Sequence, residues 1–103
     1  MALKNYTKIT ESPNEEFKII ENAKSCIAIN MIIHNGNTTA NPIIKVALTD
    51  AKGDTKCILI NQNIDAKETI FLENFKLFLN DGENLTVSSS ISNIHFLVSC
   101  KEE

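Results

Sequence analysis

The chain has no tryptophan and no arginine, and only one tyrosine, two prolines and three glycines in 103 residues. Each shortage removes or weakens a class of function. Arginine grips phosphate with two parallel bonds and reads guanine edges, and all ten basic residues here are lysines, so no nucleic-acid partner is expected. A carbohydrate-binding module on a β-sandwich would display exposed Trp or Tyr platforms, and with no tryptophan and only Tyr6 that function stands as the lesser alternative. No Gly-rich phosphate loop, nucleophile elbow, HExxH helix or DxDxDG loop occurs, so the expectation is of no enzyme, no catalytic residues and no cofactor. The longest apolar-rich run, CIAINMIIH at 26 to 34, is interrupted by Asn30 and falls far short of the roughly 20 residues of a membrane helix. No membrane partner is expected, and the start MALKNYTKITESPNEE lacks the apolar block of a secretory signal.

What is present is ordinary for a folded domain. Hydrophobic residues make up 43%, charged residues 22%, and the net charge is −3. A chain of this length buries roughly two-thirds of its unfolded surface, so it needs neither disulfide nor metal to hold a core. Cys26, Cys57 and Cys100 are odd in number and show no CxxC spacing, so a disulfide framework is not expected. Each lies in a strand-like run, where a free cysteine packs as a small hydrophobe.

Metal-ligand spacing is missing as well. Cys26 and His34 share one face of one predicted strand, but eight residues of extended chain separate them by about 26 Å, so they cannot hold one ion. His34 and His95 are expected as exposed or singly bonded residues on the face opposite the isoleucines. Asp50, Asp54, Asp65 and Asp81 sit near turns, which their side chains stabilise. Asn5, Asn37 and Asn84 match the glycosylation acceptor pattern, as some of thirteen asparagines must among eight threonines and seven serines. The candidate metal, cofactor and catalytic sets are therefore all empty.

From Phe17 onward the apolar residues alternate with period two, the mark of strands with one buried face. Phe17, Ile19 and Ile20 open the pattern. Ile27, Ile29, Met31 and Ile33 are then expected on one face, with Cys26, Ala28, Asn30, Ile32 and His34 on the other. NGNTTANP is a turn cluster, and Ile44, Val46 and Leu48 follow. TDAKGDT reads as a hairpin turn with Gly53 at positive φ, returning into KCILIN with Ile58 and Ile60 inward. Ile70 and Leu72 resume the alternation. Asp81-Gly82 reads as a second hairpin, reversing Phe75–Leu79 into Leu85–Ser89. Ile94, Phe96, Val98 and Cys100 form a last strand. The expected core is Ile29, Met31, Val46, Leu48, Ile58, Leu77, Val87 and Phe96.

Turns recur every 8 to 15 residues, and no segment carries a helical apolar stripe. Pro13, Glu15 and Glu16 would suit a single helical turn within Ser12 to Asn22. The fold class is all-β: one antiparallel β-sandwich, jelly-roll or immunoglobulin-like, of seven to eight short strands. Residues 1–14 are expected as an N-terminal arm or edge strand, and 15–103 as the sandwich domain.

The order of pieces from Ser25 to Cys100 resembles a family of small virion structural proteins of tailed bacteriophages. The pieces are IIHNGNTTANP at 32 to 42, VALTDAKGDTKCILI at 46 to 60, NIDAKETIFLENFKLFLNDGENLTVSSS at 63 to 90, and HFLVSC at 95 to 100. The chain departs from that pattern at Glu83, where the family tends to have Asp, and at Asp65-Ala66-Lys67, where Pro-Ala-Gly-like turns are usual. The resemblance implies a non-enzymatic, multi-copy building block of the tail or neck, joining neighbouring virion proteins or anchoring a fibre, or else a capsid decoration protein. It also implies a symmetric homo-oligomer assembled in the host bacterial cytoplasm, with other virion proteins as partners. The fifteen isoleucines, thirteen asparagines and ten lysines would follow from an AT-rich phage genome.

Overall fold

The computed structural model describes residues 2–21 and 24–102. It contains nine strands among these residues: β1 Ala2–Ile9, β2 Phe17–Ile20, β3 Cys26–Asn35, β4 Ile43–Thr49, β5 Thr55–Asn63, β6 Thr69–Leu72, β7 Leu77–Leu79, β8 Asn84–Ser89 and β9 Ile94–Glu102. They form two antiparallel sheets, one ordered β1-β9-β3-β6 with β7 also on β3, the other β2-β8-β4-β5. Pairing is nested: β1 with β9, β2 with β8, β3 with β6 and β7, β4 with β5. The chain is thus one long hairpin, closed at the β4–β5 turn and rolled into a sandwich, which is the jelly-roll arrangement.

The strand count exceeds the expected seven to eight because one strand is broken in two. Asn74 and Lys76 both take left-handed backbone, at φ 53° and 50°, and end β6 before β7 begins. The break faces a β-bulge in β3, where the register to β9 slips between Ala28 and Asn30. The two irregularities are tied together, since Phe75 N donates to Ile29 O at 3.1 Å and Asn74 N to Asn30 Oδ1 at 3.0 Å.

That bulge corrects the expected faces of β3. An extra residue shifts the alternation by one, so Cys26 and Ala28 point inward before it and Met31 and Ile33 after it, while Ile27 and Ile29 are only half-buried. A second bulge, at Leu59 between the Val46–Ile60 and Ala47–Ile58 pairs, turns Ile58 outward on the edge strand β5 and leaves it 51% exposed. Ile29 and Ile58 therefore do not belong to the core, and Leu77 packs against it only half-buried. Met31, Val46, Leu48, Val87 and Phe96 do belong, with Ile33, Ile44, Ile64, Leu79, Leu85, Ile94 and Val98 around them.

The Asp81-Gly82 hairpin is also corrected. Gly82 has φ 86° as a tight turn requires, but β7 lies in the first sheet and β8 in the second, so the turn arches over the edge of the core. In a jelly roll nearly every connection crosses between sheets. The Asp50 turn is the hairpin: Asp50 Oδ1 accepts from Lys52 N at 2.9 Å and Asp54 N at 3.0 Å, and Gly53 has φ 90°.

In place of a helical turn, residues 12 to 14 make a tight turn that leads into β2, with Asn14 at φ 60°; Asn22 lies outside the described residues. Residues 2–9 pair along their whole length with β9, and Thr10 pins the end of that ladder through bonds to Ile91, Asn93 and Ile94.

Candidate assembly surface

The residues singled out for chemistry form no metal-binding cluster: among the described residues no three His, Cys, Asp or Glu side chains gather where they could hold an ion. Asp81 Oδ1 accepts from Ser25 N at 2.7 Å and from Ser25 Oγ at 3.0 Å, which lowers its pKa; Asp50 serves its own turn. Asp65 lies at the far end, its amide donating to Glu68 Oε1 at 2.8 Å. Asn84 is 1% exposed, so that acceptor pattern is buried in the folded chain.

Two cysteines follow expectation and one does not. Cys26 and Cys100 are buried in the sandwich, and burial raises both thiols, Cys100 to about 12. Thiols so protonated are poor nucleophiles. Cys57 is exposed, a correction that follows from its place on the edge strand β5, which nothing covers.

Polar side chains fasten the two ends of the sandwich. At one end Asn35 is fully buried; its Nδ2 donates to the carbonyls of Ala40, Ile64 and Asp65 at 2.9, 3.2 and 3.1 Å, and its Oδ1 accepts from Asn37 N at 2.9 Å. One side chain thus joins two loops, β3–β4 and β5–β6. At the other end Glu83 is buried, accepting from Asn80 N at 2.7 Å and pairing with Lys56 Nζ. The Lys56 ammonium holds the Glu83 carboxyl below its usual range and is itself raised. Tyr6 donates to Glu102, which lowers the carboxyl and raises the phenol. Among the described residues every buried side-chain nitrogen and oxygen has a partner.

The outer face of the five-stranded sheet is the feature that these ends frame. Directly opposed residues of antiparallel strands point to the same side, so the register lays out three rows with large apolar members: Ile9, His95, His34, Thr69; then Thr7, Leu97, Ile32, Phe71; and, beyond the polar row Asn5, Ser99, Asn30, the row Leu3, Lys101, Ile27, Phe78. Leu3 is 70% exposed, Phe78 66%, Phe71 62% and Ile9 51%. A sheet that faced only water would carry polar residues there. The outer face of the four-stranded sheet instead carries Lys45, Ala47, Thr86 and Ser88, with Ile43 and Ile58 exposed where β4 meets β5.

Sequence reading missed the histidine pair. Position 34 on β3 lies opposite position 95 on β9, and the rings meet edge to face with centroids 5.6 Å apart. His34 Nδ1 lies 2.8 Å from Thr69 Oγ1, and His95 Nε2 lies 3.1 Å from Asn93 Oδ1. Only the antiparallel pairing of two strands sixty residues apart brings them together, and no local pattern announces it.

No protein-family model matches the sequence, and no curated protein does. Solved structures do match in fold. Drosophila NLP-core, whose structure addressed pentamer formation and histone binding, superposes with a TM-score of 0.59 at 10% identity, over 99% of this chain and 97% of that one. Two structures of a pentameric capsid protein from metagenomic phage sequences give 0.52 and 0.51 at 18% and 16% identity. Each matches 94% of this chain, which spans 62% and 61% of the length of those proteins. At such identities the likeness is one of fold: the chain is an all-β jelly-roll sandwich of the kind found in those pentamers.

Proposed function

We propose that the protein is a non-enzymatic building block of a bacteriophage particle, present in many copies and working by association with itself and with neighbouring virion proteins. The observation that carries this reading is the exposed apolar face of the β1-β9-β3-β6 sheet. A patch of several large apolar side chains on one face marks a surface that another protein covers, whereas among the described residues no His, Cys, Asp and Glu side chains gather into a metal-binding group. The resemblance from Ser25 to Cys100 and the fold shared with a pentameric phage capsid protein both favour a virion. Within the particle the reading is a tail or neck subunit that joins neighbours or anchors a fibre. The capsid-protein neighbours favour a second placement, as a capsid decoration protein. In either place the protein would be made in the host cytoplasm, and residues 1–14 would act as an arm distinct from the 15–103 domain, β1 being the element that could be exchanged between copies.

Two measurements test this. The mass of the native protein in solution should exceed that of one chain, and antibody labelling of purified particles should place it on tail, neck or capsid. A monomer at every concentration that is also missing from the particles would overturn the reading.

A further inference from the structure

The proposed reading requires self-association without saying through which surface. We infer that the outer face of the five-stranded sheet packs against the same face of a second copy, about a two-fold axis running along the strands between β9 and β3. This rests on the reading above and specifies its contact.

The face is built for its own image. In the row Thr7, Leu97, Ile32, Phe71, the β6 end holds an exposed ring and the β1 end holds a depression. That depression has a volume of about 340 Å³ and is lined by Thr7, Ile9, Ile32, His34, His95 and Leu97, among others. An axis lying in the interface and parallel to the strands carries each residue across the row and leaves its level unchanged. Phe71 of one copy then enters the depression beside Thr7 of the other, and Leu97 meets Ile32. Two rows along, past the polar row Asn5, Ser99, Asn30, Phe78 meets Leu3. Residue i meeting j while j meets i is what an isologous contact demands.

The extent is also suitable. At about 200 Å² for an aromatic residue, Phe71 and Phe78 alone leave on the order of 250 Å² uncovered. Leu3, Ile9 and the partly exposed Ile27, Ile32 and Leu97 bring this to roughly 600 Å², the upper end of the largest patch of a typical monomer at about 300 to 600 Å². It approaches the roughly 800 Å² that each partner gives to a standard interface. Charge does not oppose the contact, since Lys101 is the one charged member of the three rows and faces Ile27 of the other copy.

The test uses the full chain in a Cys57→Ser background. Phe71→Glu should weaken self-association about thirtyfold or more by sedimentation equilibrium, while Ile58→Glu on the opposite sheet should leave it unchanged. Mixing Thr7→Cys and Phe71→Cys chains under mild oxidation should give a disulfide-linked heterodimer. An oligomer that persists in Phe71→Glu, with no Thr7–Phe71 crosslink, overturns this contact and leaves self-association standing. A wild-type chain that stays monomeric overturns both. Thermal melts of each variant establish that it is folded, and the crosslink decides the matter should Phe71→Glu fail to fold.

Discussion

The two sheets of this sandwich are alike inside and unlike outside. Inward, both present isoleucine, leucine, valine and phenylalanine at alternate positions. Outward, the β2-β8-β4-β5 sheet shows lysine, alanine, threonine and serine, with Ile43 and Ile58 exposed where β4 meets β5, and the β1-β9-β3-β6 sheet shows phenylalanine, leucine and isoleucine around the polar row Asn5, Ser99, Asn30. Folding requires only the inner faces. The outer difference is therefore not one that folding demands, and the proposed association rests on it.

The sharpest way to break the comparison is to truncate matched rings on the two sides of one sheet. Phe96 is 1% exposed on the inner side, and Phe96→Ala should cost about 3 to 5 kcal/mol in a denaturant melt. Leu85→Ala in the opposite sheet should cost about 2 to 5. Phe71→Ala on the outer side should stay within about 0.5 kcal/mol when measured below any association. Equal losses for Phe71 and Phe96 would place Phe71 in the core and end the contrast.

The thiols report the same division without mutation. In the native protein Cys57 should react with an alkylating reagent at least about a hundredfold faster than Cys26 and Cys100, which must await opening of the core. Denaturation should release all three. Mass spectrometry after timed quenching gives the ratio, and comparable rates at all three sites would mean that the sheet pair opens readily around Cys26 and Cys100.

Much of the inner half of this comparison is legible in the sequence. Ile44, Val46 and Leu48, and again Ile94, Phe96, Val98 and Cys100, alternate cleanly and are buried as their period requires. The outer half is not legible, because which strand lies beside which depends on sixty-residue separations. Local pattern also fails where the backbone departs from regular pleating. The bulge at Ile29 moves the two inward positions before it, from Ile27 and Ile29 to Cys26 and Ala28, and that at Leu59 turns Ile58 to the surface. Asp81-Gly82 has hairpin chemistry, yet a tight turn carries no record of whether its strands share a sheet. The assembly face followed only once register had aligned Thr7, Leu97, Ile32 and Phe71.

Asn35 sharpens a second contrast, between the polar ends and the apolar middle. Asn35→Ala should cost about 1 to 3 kcal/mol, since it leaves partners in two loops without their bonds. Loosened loops at 36 to 42 and 64 to 65 should appear as faster amide exchange there, with β8 and β9 still protected. Loss confined to one loop would show that Asn35 is not the joint between them.

The opposite end should respond to acid. Glu83, Asp81 and Glu102 all have folded pKa values below their unfolded ones, through Lys56, Ser25 and Tyr6 respectively. Depressed carboxyls bind fewer protons folded than unfolded, so their stabilisation is complete above the unfolded values near 4 and fades as pH falls through the folded ones. Stability should thus hold from neutrality to about pH 5 and decline below. Glu83→Gln should flatten the decline by removing one of the three groups, and a profile identical to wild type would remove Glu83 from that account.

The smallest expected effect concerns a turn in which sequence and backbone disagree. Lys67 has φ 63°, a left-handed conformation that costs a residue with a Cβ about 1 kcal/mol or more. It closes the Asp65-Ala66-Lys67 turn, where the phage proteins that this chain resembles tend to end in glycine. The turn is held from outside: Lys67 N donates to Asn37 O at 3.1 Å, and Glu68 Oε1 accepts from Asp65 N. Its geometry should therefore survive substitution. Lys67→Gly relieves the strain but gives the unfolded chain more freedom, which returns part of the gain. The net should be a stabilisation of about 0.5 kcal/mol, visible as a slightly higher denaturation midpoint with unchanged slope. Lys67→Ala, which keeps the Cβ, should give none of it. If glycine and alanine behave alike, the left-handed turn is not strained at this position, and the departure from the family pattern there has no energetic cost.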